Sequence, residues 1–171
     1  MQVTAFHHIS LAVREPGRAT DFYGSLLGLG APAELSGNRL RFSHRHPSEG
    51  AFVDVVTVGD QPAGRAGGGG IHRFALATAD STTLRMWKRW LSERGVRVSG
   101  PYDRTYFESI YFRDPDGHIV EIATEGPGYL IDESLDELGT QVLPASRGVA
   151  GSRDERAIAA DTHPDHIVEI R

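Results

Sequence analysis

The chain has 171 residues, 39% of them hydrophobic, and a net charge of −5 made of interspersed signs. That length suits one domain or two small repeated units with a packed core, and the charge pattern carries no nucleic-acid footprint. The absence of cysteine excludes a disulfide framework, a thiolate metal site and a cysteine nucleophile. No apolar run approaches the roughly 20 residues that a membrane span needs. The N-terminus has no charged-then-apolar signal pattern, so the expectation is a soluble, cytoplasmic protein without membrane or nucleic-acid partners.

In chain order, Phe6 to Val13 (FHHISLAV) reads as a strand. Ile9, Leu11 and Val13 share one face, which should pack on a helix; His8, Ser10 and Ala12 share the other, which suits a cavity wall. Glu15-Pro16 starts a helix, since proline does no harm in a first turn. Its apolar stripe is Ala19, Phe22, Tyr23, Leu26 and Leu27, and Gly28 and Gly30 end it. Arg39 to Ser43 and Ala51 to Val58 read as strands around a polar turn at Pro47 to Gly50. Gln61 to Gly70 (QPAGRAGGGG) is a flexible linker by composition.

Then the pattern starts again. Ile71 to Thr78 (IHRFALAT) reads as a strand, Asp80 or Ser81 caps a helix with the stripe Leu84, Trp87 and Leu91, and Val96 to Ser99 follows as a strand. Tyr106 to Gly128 (YFESIYFRDPDGHIVEIATEGPG) is patterned as a β-hairpin turning at Asp114-Pro115-Asp116-Gly117. Glu121 falls mid-strand among apolar residues, where a carboxylate calls for a metal or a strong donor unless water reaches it.

This is an internal repeat. One offset lays Phe22 on Trp87, Leu26 on Leu91 and Gly30 on Gly95, and GAFVD (50–54) matches GHIVE (117–121). Asp54 and Glu121 thus occupy equivalent places. The reading is an α+β fold of two tandem βαβββ modules whose curved sheets enclose a shared cavity. The modules cover 1–60 and 71–128, joined by the linker 61–70 and followed by a tail, 129–171. Within the tail, Ile131 to Leu138 suggests a short acidic helix and Leu143 to Ser152 an arm. The end, HPDHIVEIR (163–171), echoes the hairpin and could pair as a strand, or resembles it by chance.

On HHISLAV with DFYGSLLGL, and above all on YFESIYFRDPDGHIVEIATEGPGY, the chain resembles the vicinal oxygen chelate superfamily (glyoxalase, fosfomycin resistance, extradiol dioxygenase). Within it the likeness is to ring-cleaving dioxygenases of hydroquinones and catechols, over about Phe6 to Leu138. The resemblance implies metal ligands at His8, at the start of the second-module strand and at Glu121, with Tyr111 bonding the bound substrate hydroxylate. It implies Fe(II), or Mn(II), together with O₂ and a small aromatic diol or hydroquinone. The middle ligand departs from the pattern. The repeat lays His8 on Arg73, which cannot bind a metal, whereas His72 would need a bulge or a register change to enter the cavity. The expected ligand set is therefore His8, His72 and Glu121, with a metal-free anion site at Arg73 as the rival.

Asp54 could be a fourth ligand, a base or a solvent-facing residue; His44, His46 and His118 are candidates, by sequence alone, for the pocket-lining histidine that the resemblance implies for proton transfer. Other family activities stay open: a glyoxalase-like lyase or isomerase using both carboxylates, and a non-enzymatic protein that sequesters aromatic drugs. A homodimer is the expectation by analogy with curved sheets that need an outer partner.

Overall fold

In the computed structural model, residues 2–3, 6–35, 37–43, 52–62, 68–128 and 134 are described. The chain divides into two compact units, residues 1–64 with 114–116, and residues 65–113 with 117–171. Each contains a four-stranded mixed sheet, as the repeat requires.

The first unit opens with β1 (His8–Val13), α1 (Pro16–Ala19) and a π-helical stretch (Thr20–Leu26). β2 (Ala33–Glu34), β3 (Arg39–Phe42) and β4 (Phe52–Thr57) complete it, in the sheet order β1-β4-β3-β2 with β1 and β4 parallel. The alternation expected for β1 holds at every position: Ile9, Leu11 and Val13 are buried while His8, Ser10 and Ala12 are exposed. The helical stripe is buried at all five positions, Ala19, Phe22, Tyr23, Leu26 and Leu27. Each large apolar side chain so placed contributes roughly 1.5–3 kcal/mol. The widening of the helix into π geometry was not expected. Leu27 N–H donates to the Phe22 carbonyl at 3.0 Å, a bond spanning five residues rather than four.

Residues 114–116 close the first unit. Tyr23 hydroxyl donates to Asp114 Oδ2 at 2.5 Å, both groups being fully buried. Arg14 Nε donates to Asp116 Oδ1 at 2.8 Å, and Arg14 Nη2 to the Pro115 carbonyl at 3.1 Å. Burial, and the negative charge of Asp114 beside it, push the Tyr23 phenol well above its ordinary pKa.

The second unit runs β5 (Phe74–Thr78), α2 (Ser81–Glu93), β6 (Ser99–Asp103), β7 (Phe107–Arg113) and β8 (Ile119–Pro127). Its sheet order is β5-β8-β7-β6, again with the first and last strands parallel. Asp80 caps α2 by accepting from the Thr83 N–H at 2.7 Å. Leu84 and Leu91 are fully buried under the helix; Trp87 is half-buried and Trp90 exposed.

Two sequence boundaries move. The strand expected over Val96 to Ser99 begins only at Ser99, because Val96 ends α2. The Gly95 N–H bonds to the Ser92 carbonyl and the Val96 N–H to the Leu91 carbonyl, with Gly95 at φ +78. The strand expected from Ile71 begins at Phe74, so His72 and Arg73 precede it. The turn at 47–50, His44 and His46 lie outside the described residues, as do the tail expectations apart from Ser134. Among the described residues no helix is long and apolar enough to cross a membrane.

Candidate active site

The register of the second sheet sets one row of residues across all four strands. Ala75 on β5 pairs with Glu121 on β8, Glu121 with Tyr111 on β7, and Tyr111 with Ser99 on β6. Directly paired residues project on the same face of a sheet. Glu121 therefore has small Ala75 on one side and a phenol on the other, as the alternation of HIVEIAT requires.

Glu121 is 3% exposed, and both of its oxygens are taken. Tyr111 hydroxyl donates to Oε1 at 2.7 Å, and Arg73 Nε donates to Oε2 at 2.6 Å. The pair with Arg73 is a charge-assisted contact of a buried carboxylate with a guanidinium whose side chain is 27% exposed. Tyr111 is fully buried. Its oxygen accepts from Ser109 Oγ at 2.8 Å and from Arg104 Nη2 at 3.3 Å. Burial holds its pKa above the ordinary tyrosine value; donors Ser109 and Arg104 oppose that rise, and the Glu121 charge adds to it. At neutral pH the phenol keeps its proton, and that proton goes to Glu121.

Two guanidiniums flank the phenol ring, Arg73 at 5.5 Å and Arg104 at 5.7 Å from its centroid. Arg104 is placed by a tight turn whose next residue, Thr105, has φ +71, an uncommon conformation for a β-branched residue. Its N–H is held by Asp103 Oδ1 at 2.8 Å. Ser99, at the end of the row, is buried, and its hydroxyl has no hydrogen-bond partner among the described residues.

The first sheet carries the counterpart row: Ser10 on β1 pairs with Asp54 on β4, and Asp54 with Arg41 on β3. Asp54 and Glu121 thus stand in equivalent places, as the repeat predicted. Asp54 is buried and accepts two bonds from Arg41, Nε to Oδ1 and Nη2 to Oδ2, both at 2.7 Å. This fork holds the Asp54 carboxyl below its usual range despite burial; nearby His8 acts in the same direction. Neither the Arg41–Asp54 nor the Arg73–Glu121 partnership was read from the sequence. Arginine spaced one strand away from a buried acid was the available signal.

The sequence-predicted ligands fall in different settings. His8 lies exposed on β1 in the first unit, its Nδ1 2.9 Å from His7 Nδ1. His72 lies half-buried in the second unit, with Nδ1 3.3 Å from Arg73 Nη1. A guanidinium only donates, so that His72 nitrogen is the acceptor. Arg73 stands two residues before Ala75, the partner of Glu121, just as His8 stands two before Ser10, the partner of Asp54. His118 is half-buried immediately before β8. Among the described residues no three His, Asp or Glu side chains form a metal-holding group. With both Glu121 oxygens committed and a cation already on one of them, the arrangement does not fit a divalent ion.

Residues 5–122 match the sequence profile of the Glyoxalase/Bleomycin resistance protein/Dioxygenase superfamily. The Bacillus subtilis protein MhqA, assigned by name to the ring-cleaving dioxygenases, is 36% identical over 66% of this chain and 36% of its own length. The chlorohydroquinone/hydroquinone 1,2-dioxygenase of Sphingobium indicum is 32% identical over 72% of this chain and 39% of its own. The chain therefore spans well under half the length of these relatives. A solved Bacillus subtilis structure superposes with a TM-score of 0.70 at 24% identity, over 95% of this chain and 49% of that one, a likeness of fold.

Proposed function

Because the chain belongs to the glyoxalase/bleomycin resistance protein/dioxygenase superfamily, we propose that it has a ring-cleaving, extradiol-type dioxygenase role toward an aromatic diol or hydroquinone. The observation that carries this reading is the buried Tyr111–Glu121 pair, a protonated phenol beside a carboxylate on one sheet face. The names of MhqA and the Sphingobium enzyme support it at modest identity. Tyr111 is the residue the resemblance implies would meet a substrate oxygen; it keeps its proton at neutral pH, and donating it to a substrate requires turning it from Glu121. Arg104 and Ser109 orient it by donating to the phenol oxygen.

Fe(II) or Mn(II) is the metal the resemblance implies for such a role, and Glu121 does not fit it while Arg73 holds the carboxylate. The ligands implied by the resemblance are His8 in the first unit and His72 and Glu121 in the second. Glu121 is the one already held by Arg73. The test is oxygen uptake by the full chain, incubated anaerobically with Fe(II) or Mn(II), over a panel of hydroquinones and catechols. Uptake with at least one diol, reduced tenfold or more in Tyr111→Phe, is expected. Silence across the panel sinks the reading.

A second reading is favoured by the Arg73–Glu121 pair: metal-free binding of an aromatic ligand without turnover. Saturable ligand-induced quenching of Trp87 and Trp90 fluorescence in chelator-treated protein, with no oxygen uptake in any metal, would select it. The lyase or isomerase alternative needs Asp54 as a second carboxylate, and Asp54 is committed to Arg41.

A further inference from the structure

We propose that Arg73 takes the place of a metal in the second unit, so that position 73 decides whether Glu121 can bind a divalent cation. Three observations carry this. First, Arg73 stands two residues before the partner of Glu121, as His8 stands two before the partner of Asp54, so an arginine stands where the other copy has an imidazole. Second, Arg73 Nε lies 2.6 Å from Glu121 Oε2, and the other oxygen accepts from Tyr111, so each oxygen already has a donor. Third, His72, adjacent to Arg73 in sequence, has one nitrogen 3.3 Å from the same guanidinium.

The physical reason is the permanence of the guanidinium. It does not lose its proton in the working pH range, and it offers no lone pair to a metal. A buried carboxylate needs one positive partner, and either an arginine or a cation can be that partner. A second cation on the same carboxylate would meet the repulsion of the first in a poorly screened interior. Glu121 beside Arg73 is therefore a finished ion pair, whereas Glu121 beside a histidine would be an open ligand.

The inference rests on the proposed reading only for the expectation that a metal belongs here. Its test is Co(II) and Mn(II) binding to the full chain, by equilibrium dialysis with metal analysis and, for Co(II), visible absorption. Wild type and Glu121→Gln are expected to bind equally, because Glu121 is no ligand while Arg73 holds it. Arg73→His is expected to bind one Co(II) per chain at least tenfold more tightly, and Arg73→His/Glu121→Gln to lose that gain. Arg73→Gln removes the charge without adding a ligand. It serves as the second variant, with a smaller, Glu121-dependent gain expected if the histidine variant does not fold.

Wild type that binds one metal per chain and loses it in Glu121→Gln overturns the inference. Folded Arg73→His and Arg73→Gln that both bind no better than wild type overturn it equally. Oxygen uptake measured on the same samples keeps the two proposals apart. Arg73→His that gains metal but consumes no oxygen with any diol upholds the role of position 73 and counts against ring cleavage.

Discussion

Replacing Tyr111 by phenylalanine removes one oxygen and leaves the ring in place. The structure lets the cost be worked out. That oxygen makes three hydrogen bonds, to Glu121 at 2.7 Å and from Ser109 and Arg104 at 2.8 and 3.3 Å. Losing a donor to a buried carboxylate costs about 1.5–3 kcal/mol, and orphaning a buried serine hydroxyl adds about 1 kcal/mol. Arg104, half-buried, can turn to water and adds little. The expected loss is thus about 2.5–4 kcal/mol. With a urea m-value of about 2 kcal/mol/M, the unfolding midpoint should fall by about 1–2 M.

Tryptophan fluorescence is a suitable probe, because both tryptophans, Trp87 and Trp90, lie on α2 in the same unit as Tyr111. A cycle with Glu121→Gln should show a coupling of at least about 1 kcal/mol, as groups in one network do. A midpoint shift worth less than about 0.5 kcal/mol, with no coupling, would refute the reasoning. It would mean that water already serves the Glu121 carboxylate.

Asp54→Asn probes the counterpart pair. The carboxyl of Asp54 is held below its ordinary range by Arg41, so its contribution is present above the unfolded-state pKa of about 3.9 and is lost as pH falls through the folded value. The variant should be less stable by about 2–3 kcal/mol near pH 7, somewhat below the cost of breaking a fully buried pair because Arg41 keeps some exposure. Calorimetry from pH 7 to pH 3 should show that gap narrowing below about pH 4, and a gap constant with pH would contradict the assignment. Gly100→Ala adds a Cβ only 2.7 Å from the Ser109 carbonyl oxygen at a residue with φ +91. Strain and clash together should cost about 2–4 kcal/mol; wild-type-like melting would show that β6 moves freely against β7.

Periodicity made much of this fold legible. The strict alternation of HISLAV needs no knowledge of partners, and the burial of β1 follows it residue by residue. Asp80 as a helix cap is a local interaction, so composition finds it. The repeat then places Asp54 and Glu121 equivalently, which the registers bear out. What satisfies those acids was not legible, because it depends on side-chain reach across strands. Arg41 lies directly opposite Asp54, and that pairing exists only once β3 and β4 are in register. Arg73 reaches Glu121 from ahead of β5, a diagonal that sequence spacing does not encode. Val96 reads as strand by its β-branched side chain, yet its N–H completes the end of α2. Likewise, nothing local ties Tyr23 to Asp114, which are separated by 91 positions.

That last separation bears on how the chain could be divided. The repeat invites a cut in the glycine-rich stretch, as if each copy were a self-sufficient fragment. Yet the first compact unit includes residues 114–116, which the chain supplies only after most of the second copy has been made. A fragment ending at Gly64 would leave the Tyr23 hydroxyl buried without its acceptor and Arg14 without its carboxylate. The carboxylates that complete those contacts come from the DPD turn between β7 and β8. The duplication is visible in sequence, yet the first compact unit takes three of its residues from the second copy.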